Sequence, residues 1–492
     1  MTHPALLTLF PQIVLIVAGG LLLLTGAQRA WAPHWVGVTG LFTFILAGVG
    51  KALIPPTAGI AEIAADSHGD VLQWILLGTG GLFVALISQR PCSARTATQS
   101  AAMVMFGTSG AMLAVMADDL VLLSVALPLV YLPVGLILHI NDRRQTADEV
   151  TLKFAMASGV SLGLMLLGFV LLYASAGTTT LSTMNIGGDA EMFQKSLSSV
   201  AVVFMFAGLV VSLAAVPFHF AVVDVVDGVD AWTAGVMLLL PRLAAAGALL
   251  RICRLPMPVD TQVAVPILLV LAVTTILSGG LMALLQTRVQ RLLAYLAIAQ
   301  GGLWLLGLAV IVWWTGQGSA AGVRFAQAIW NGQLLSTTSG IAGLFAAAIH
   351  LSGRRDRFQF VDELTGLGHT QPFLAAAVAV LLLSLAGMPP LAGFWSLAAT
   401  CWAAASAHEP SATSLIAFHR GFLAAAGAAV VGGLLTVAVA IRLCNLMFLQ
   451  SPLSKAEPRR RTVAKAAALG ITAATIIGGF TVERLWNWLA GS

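Results

Sequence analysis

Two residues that could carry charge lie inside apolar segments of this sequence, each close to a proline. His219 follows Pro217 by two residues, and Arg242 directly follows Pro241. Histidine titrates near neutral pH, so His219 could gain and lose a proton. The alternative is that its ring bonds a backbone carbonyl freed at a helix break. Arginine stays charged at physiological pH, so Arg242 can set an electric field but cannot relay a proton.

An arginine inside an apolar segment needs a partner. An unpaired arginine at the middle of a bilayer costs roughly 2.5–3.5 kcal/mol on insertion scales. We therefore expect a partner for Arg242. Five aspartates are candidates, and the sequence does not choose among them: Asp118, Asp119, Asp224, Asp227 and Asp230. The alternative is that Arg242 lies at a helix end and extends its side chain to water.

Motifs for other kinds of chemistry are missing from the sequence. The four cysteines, Cys92, Cys253, Cys401 and Cys444, are far apart, with no CxxC and no paired histidine. A disulfide framework, a metal site or an iron–sulfur site therefore has little support. The sequence has no Gly-x-Ser-x-Gly, no His-Glu-x-x-His and no pair of acidic residues deep within an apolar segment. A membrane-embedded hydrolase is therefore disfavoured.

The elements that hold these residues are predicted to be membrane helices. Of the 492 residues, 59% are hydrophobic and 9% are charged, against roughly 25% charged in a soluble domain. We predict an all-α membrane protein, a single integral membrane domain over residues 1–492 in contact with the lipid bilayer. Fourteen segments approach the length of a membrane helix, at about 4–25, 35–54, 71–89, 101–117, 119–140, 154–175, 199–223, 231–252, 264–286, 292–314, 329–350, 373–402, 419–448 and 464–482.

Lysine and arginine are distributed unevenly between the two sides of the predicted bundle. The loops after odd-numbered spans and the adjoining span ends hold sixteen of them, Lys153 included, and the other side holds seven. Cytoplasmic loops carry the excess, so both termini are expected outside. The first span lacks a basic n-region, so we interpret it as a helix and not as a cleaved leader. These loops account for the net charge of +5, and no nucleic-acid partner is expected.

Two similar stretches place proline deep in an apolar span. One is Ser212-Leu-Ala-Ala-Val-Pro217-Phe-His219-Phe, in span 7, and the other is Ser384-Leu-Ala-Gly-Met-Pro389-Pro390-Leu-Ala-Gly-Phe, in span 12. Proline breaks a helix, and a break at membrane depth must line a cavity or be buried in protein. Odd and even spans run in opposite directions. Paired breaks of this kind indicate an ion or substrate path near the midplane, and two unrelated kinks are the alternative.

These motifs together resemble a known family, the antiporter-like membrane subunits of proton-translocating NADH-quinone oxidoreductase (complex I). The resemblance is closest to subunit N and extends to Mrp-type sodium/proton antiporter subunits. It covers roughly residues 110–450. It rests on the two proline stretches and on four further features, which are Asp224 with Asp227 and Gly228, Gln286-Thr-Arg-Val-Gln-Arg291-Leu-Leu-Ala-Tyr295, Glu149 with Lys153, and Asp362-Glu363-Leu-Thr-Gly366-Leu367.

The resemblance implies an architecture and a setting. It implies two inverted five-helix repeats, spans 4–8 and 9–13, with broken helices at spans 7 and 12. We accordingly divide the chain into a three-helix segment (1–100), a first repeat (101–253), a second repeat (264–448) and a C-terminal helix (464–492). Other membrane-arm subunits are the expected partners in a bacterial inner membrane. NADH, FMN, iron–sulfur clusters and quinone are expected in partner subunits, and no cofactor or metal in this chain.

The resemblance also implies a row of titratable residues at mid-membrane, most of which this sequence replaces. The expected span 5 glutamate, span 7 lysine, span 10 histidine and span 12 lysine or glutamate fall on Pro128, Ser212, Gln300 and Leu397. The span 8 lysine becomes Arg242. The remaining candidates for a proton path are Arg242, His219, Lys153, Asp224 and Asp227. Lys153 could instead be a membrane-edge anchor, and the two aspartates could belong to a solvated loop.

Several functions therefore stay open on the sequence. The first is a membrane-arm subunit that couples quinone reduction to proton translocation, a non-redox part of a translocase. The second is a divergent paralogue that keeps the fold as a scaffold and no longer pumps. The third is a stand-alone cation/proton antiporter, or a subunit of another ion-coupled complex. An unrelated carrier with inverted repeats is disfavoured by the Pro-Phe-His-Phe and Arg-Leu-Leu-Ala-Tyr motifs.

Overall fold

A computed structural model describes most of the chain. Apart from two isolated β-bridges, the regular secondary structure of this part is helical. High hydropathy and the near absence of charge within the apolar stretches favour helices, whose backbone hydrogen bonds are satisfied internally. The described residues are 8–28, 31–53, 67–90, 92–141, 146–184, 192–254, 261–352, 360–407, 416–451 and 462–481.

The helices follow one another with short connections, and we number them in chain order. The first half contains α1 (Phe10–Gln28), α2 (Pro33–Leu53), α3 (Ser67–Leu86), α4 (Ala94–Met116), α5 (Leu120–Ala126), α6 (Pro128–Asn141), α7 (Thr146–Ala176), α8 (Met192–Ser212), α9 (His219–Asp227) and α10 (Ala231–Cys253). The second half contains α11 (Thr261–Leu285), α12 (Val289–Gly316), α13 (Ala320–Ser352), α14 (Leu367–Thr370), α15 (Pro372–Leu385), α16 (Ala392–Ala405), α17 (Ile416–Cys444) and α18 (Thr462–Phe480).

The chain is an integral, multi-pass membrane protein. Within the described residues, eleven helices are long and apolar enough to cross a bilayer. Three more apolar helices are shorter than a full span, Phe10–Gly26, Ser196–Ser212 and Pro372–Leu385. They coincide with predicted spans 1, 7 and 12, and the last two are spans that the sequence predicts to be broken. The predicted number of fourteen spans is reached only if each of these three helices crosses the bilayer together with the segment beside it.

The predicted breaks in spans 7 and 12 are present as interruptions between helices. The first separates α8 from α9, and the second separates α15 from α16. Span 5 is also divided, because α5 ends at Ala126 and Pro128 begins α6. The start predicted for span 4 is too late. Ser93 caps α4 by accepting a hydrogen bond from the Thr96 backbone N–H at 3.1 Å, and the helix therefore begins at Ala94.

The core of the bundle lies around α10 and α12. Every residue of α10 is buried, and α12 is buried from Val289 to Trp313 with one residue partly exposed. Helix α10 packs against α3, α4, α12 and α13. Helices α2 and α7 instead present large apolar side chains outward, as expected of helices that face lipid. The polar residues on α10 and α12 are therefore enclosed by protein.

Candidate functional site

The break after α8 ends the helix with a left-handed residue. Ala214 has φ +56°. Its N–H donates to the Val211 carbonyl at 3.0 Å, and the next N–H donates to the Val210 carbonyl at 3.2 Å. This is the Schellman pattern of helix termination. Because Pro217 follows, the chain does not resume the helix at once. Carbonyl groups of the last turn are left without helical donors.

The break after α15 has the same pattern. Gly387 has φ +74°, and its N–H donates to the Ser384 carbonyl at 3.0 Å. The N–H of the following residue donates to the Leu383 carbonyl at 3.0 Å, and Pro389 and Pro390 come next. Glycine suits this position because a side chain at positive φ is strained. The two breaks thus share a hydrogen-bond pattern as well as a sequence pattern.

Replacing Gly387 by alanine is expected to lower the free energy of unfolding by about 2 kcal/mol. The added Cβ would adopt a left-handed conformation and would lie 2.5 Å from Leu397 Cδ2. Gly177→Ala is the matched control, because Gly177 has φ +71° but no neighbouring atom within 4 Å. It should cost about 1 kcal/mol. Thermal unfolding of the two purified variants measures the difference, and equal losses would contradict a role for the Leu397 contact.

Arg242 fills the space between the first break and α12. It lies at the centre of α10 and is 2% exposed. Its Nε donates to the Leu213 carbonyl at 3.0 Å, and its Nη2 donates to the Ala297 carbonyl at 2.8 Å. Its guanidinium carbon lies 5.2 Å from the centroid of the Trp304 ring. Gly301 leaves room for this group, because a Cβ there would lie 2.4 Å from Nη2.

Arg242 therefore has the partner that the sequence predicts, but among the described residues this partner is not one of the five candidate aspartates. The alternative of a side chain extended to water is wrong, because Arg242 is buried. Two backbone carbonyls accept from the guanidinium instead, that of Leu213 at the break and that of Ala297 within α12. The candidate aspartates have other contacts. Asp119 caps α5 and accepts from the Thr179 hydroxyl at 2.6 Å. Asp230 caps α10 and pairs with Arg90. Asp224 and Asp227 form ion pairs elsewhere, and no ion pair involves Asp118 in the described part of the chain.

Gln300 donates a hydrogen bond to a backbone carbonyl at the second break, as Arg242 does at the first. Its Nε2 donates to the Leu385 carbonyl at 2.9 Å, and its Oε1 lies 3.3 Å from Gln333 Nε2. Leu213 and Leu385 occupy equivalent places in the two Ser-Leu-Ala stretches. An uncharged amide therefore occupies the position for which the resemblance implies a histidine.

The other replaced positions are also occupied by groups without charge. The Ser212 hydroxyl lies 2.5 Å from the Tyr131 hydroxyl and 2.6 Å from the Ser161 hydroxyl. Pro128 begins α6. Leu397 packs against Gly387 at the second break. Sequence reasoning missed Tyr131 and Ser161, whose hydroxyls complete the environment of Ser212.

The five candidates for a proton path lie in two places. Arg242 and His219 are buried, and His219 packs near Tyr295 with ring centroids 6.2 Å apart. Lys153, Asp224 and Asp227 lie together at one end of the bundle. Tyr295 follows Arg291 by about one turn of α12, so His219 lies between that end and Arg242.

A network of ion pairs lies at this end of the bundle. We call it the charged end, and its members are Lys153, Asp224, Asp227, Arg288 and Arg291. Arg291 joins both aspartates, at 3.5 Å from Asp224 and 2.9 Å from Asp227. Asp227 also pairs with Arg288 at 2.7 Å. The Lys153 ammonium lies 4.0 Å from Asp224 and 2.7 Å from Glu149. The network connects the start of α7 with α9 and the start of α12. Several of its members are half exposed, so its individual pairs contribute little stability.

A further set of buried polar groups lies on α13. In the part of the chain that the structure describes, both amide atoms of Gln327 and Asn331 and the Thr338 hydroxyl lack a hydrogen-bond partner. Spacings of four and seven residues place all three on one face of the helix. Buried amides of this kind are ordinarily satisfied by internal water. Among the described residues, no three His, Cys, Asp or Glu side chains lie close enough to hold a metal ion.

Comparison with known proteins adds the following similarities. A family model described as "NADH:quinone oxidoreductase/Mrp antiporter, TM" matches residues 117–424. An NADH-quinone oxidoreductase subunit N from Rhodospirillum rubrum is 28% identical over 394 residues, 78% of this chain and 78% of that protein. A subunit N from Mycobacteroides abscessus is 31% identical over 411 residues, 81% of this chain and 70% of that protein.

Solved structures share the fold. A chain of respiratory complex I from Thermus thermophilus with bound aureothin has a TM-score of 0.79 and 24% identity, covering 98% of this chain and 100% of that chain. A chain of the Mrp complex from Dietzia sp. DQ12-45-1b has a TM-score of 0.82 and 21% identity, covering 100% of this chain and 97% of that chain.

Proposed function

Because the chain belongs to the NADH:quinone oxidoreductase/Mrp antiporter transmembrane family, we propose that it is a membrane-arm subunit of a proton-translocating NADH-quinone oxidoreductase. In this proposal the chain carries out no redox step. NADH, FMN, iron–sulfur clusters and quinone belong to partner subunits. Its own part is to complete the membrane arm and to transmit the coupling between quinone reduction and proton transfer.

We further propose that protons do not cross the bilayer through this subunit. The observation that carries this proposal is the setting of Arg242, whose guanidinium is held by the Leu213 and Ala297 carbonyls. Proton transfer through a side chain requires that it gain and lose a proton near working pH, and arginine does not. Ser212, Gln300 and Leu397 are not titratable in that range either. These mid-membrane positions therefore lack side chains that change charge near working pH, which a proton pump needs.

The charged end supports a structural part in coupling. Arg291 contacts two aspartates of α9, and α9 begins at His219, directly after the first break. A shift of α9 would therefore be felt both by the ion pairs and by the backbone near Arg242. In this proposal Lys153, Asp224 and Asp227 hold the end of the bundle in register with a neighbouring subunit.

A second candidate function is ion passage, as in a stand-alone cation/proton antiporter. The unpartnered amides of Gln327 and Asn331 favour it, since a row of internal waters along α13 could conduct ions in the second half of the bundle. Identification of the proteins that copurify with a tagged chain separates the two candidates. Flavin- and iron–sulfur-containing partners are expected for the first, and their absence from a stable, active antiporter would favour the second.

We propose fourteen spans, of which spans 4–8 and 9–13 form two inverted five-helix repeats, with both termini outside a bacterial inner membrane. The shared hydrogen-bond pattern at Ala214 and Gly387 supports the repeat, and the lysine and arginine bias supports the orientation. Reagents that do not cross the membrane, applied to single cysteines placed near either terminus, test the orientation directly.

The proposed absence of a proton path predicts that His219→Gln leaves the number of protons pumped per electron unchanged. Glutamine fills similar space but does not titrate. The ratio is measured on the purified complex in vesicles, with NADH as donor. The control is His139→Gln, since the side chain of His139 is 64% exposed at the end of α6. A lower ratio for His219→Gln alone, at equal rates of quinone reduction, would mean that protons do pass through this subunit.

A further inference from the structure

A cavity of about 290 Å³ opens at the end of the bundle where α10 and α12 finish and α13 begins. Both polar and apolar groups line it, and the polar side chains include two arginines. The lining includes Arg254, Thr315, Gly318, Ser319, Arg324 and Gln327. No acidic side chain of the described residues lines it. The volume is large enough for a phosphate group and its nearest substituents.

Positive charge converges on this cavity from three directions. Arg254 directly follows α10, and Arg324 is an exposed side chain near the start of α13. Arg324 has no ion pair among the described residues. Helix α13 also begins here, with the Ser319 hydroxyl accepting from the Gly322 N–H at 3.1 Å. The N-terminus of a long helix carries partial positive charge, and an arginine beside it is unfavourable unless an anion offsets both.

Gln327 provides an independent indication that the cavity takes a ligand. The residue is fully buried, it lines the cavity, and neither Nε2 nor Oε1 has a hydrogen-bond partner among the described residues. A buried amide without partners is destabilising. An oxygen of a bound group would accept from Nε2 and remove that penalty. The charges around the cavity favour an anionic ligand, and Gln327 favours one with hydrogen-bonding oxygens.

We propose that this cavity binds a phosphate group, with Arg324 and Gln327 as its main contacts. The phosphate can belong to an anionic phospholipid or be free inorganic phosphate, since both present the same oxygens. The position at the ends of membrane helices places the cavity at the level of lipid headgroups. The half-buried Trp314 lies beside Gly322, and tryptophan is typical of that level. This inference does not depend on the function proposed above.

The test uses the full chain purified in a neutral detergent, with bound lipid counted by native mass spectrometry. The lipid arm adds phosphatidylglycerol, with phosphatidylcholine as the neutral comparison, and a second arm adds inorganic phosphate alone. Arg324→Gln and Gln327→Leu are each expected to weaken binding by about tenfold. Arg420→Gln, which removes another exposed arginine, should leave it unchanged. Equal thermal unfolding of Arg324→Gln and the unmodified chain shows that the fold is retained.

The two arms separate the sources of the phosphate. Retention of phosphatidylglycerol that Arg324→Gln weakens, with little competition from inorganic phosphate, assigns the site to a lipid headgroup. Saturable binding of inorganic phosphate that the same variant weakens, without lipid retention, assigns it to the free anion. Binding that neither variant alters, or no binding in either arm, overturns the proposal.

Discussion

Arg242→Ala is expected to lower the free energy of unfolding by about 3–5 kcal/mol. The change removes two hydrogen bonds that a charged group donates in an apolar interior, one to the Leu213 carbonyl at the break and one to the Ala297 carbonyl of α12. It also leaves a cavity beside the Trp304 ring, over which the guanidinium lies at 5.2 Å. Thermal unfolding in detergent, followed by tryptophan fluorescence, measures the loss. Trp304 is itself a reporter, because its surroundings change.

Two other variants make the result for Arg242 specific. Arg420→Ala removes an exposed arginine from α17 and should alter the unfolding temperature little. The unfolding temperature of Arg242→Lys should lie between those of Arg242→Ala and Arg420→Ala. A lysine keeps the charge, but it cannot reproduce the fork of donors that reaches two carbonyls at once. An Arg242→Ala protein as stable as Arg420→Ala would mean that the carbonyl contacts do not hold the bundle together.

Gly393→Ala is the second change expected to have a large effect, a loss of about 3 kcal/mol or more. A Cβ at this position would lie 1.8 Å from the Ser384 carbonyl oxygen. That oxygen belongs to the backbone, so relief requires α15 and α16 to move apart. The same movement would break the hydrogen bond from the Gly393 N–H to the Ser384 hydroxyl, now 3.2 Å. We expect little folded protein in membranes, as measured by size-exclusion chromatography of a fluorescent fusion.

Gly427→Ala is the control for that experiment. Gly427 lies within α17 with no atom within 4 Å of an added Cβ. Alanine favours a helix over glycine by about 1 kcal/mol, so this variant should fold as well as the unmodified chain or better. If Gly393→Ala accumulated to the same level as Gly427→Ala, close contact of α15 and α16 would not be needed for the second break.

The breaks were predictable because their cause is local. Proline removes a helix hydrogen bond wherever it occurs inside a helix. Pro217 and Pro389 therefore predict the interruptions after α8 and α15. The same breaks make the number of spans harder to count from the structure. A broken span divides into helices such as Pro372–Leu385, which is shorter than a bilayer crossing.

The surroundings of Arg242 were not predictable in the same way. Its acceptors lie 29 and 55 residues away in the chain, and they are backbone groups, which every residue possesses. Charge counting finds carboxylates, so it led to the five aspartates. The polar face of α13 did carry a signal that was overlooked. Gln327, Asn331 and Thr338 recur at helical spacing within an otherwise apolar segment.

The two carbonyl contacts of Arg242 also have a mechanical consequence. They attach the middle of α10 to the end of α8 and to α12 at a single point. A slide of α10 by one turn, about 5.4 Å, would break both contacts. A slide of α10 against the end of α8 or against α12 is therefore opposed by the loss of these hydrogen bonds.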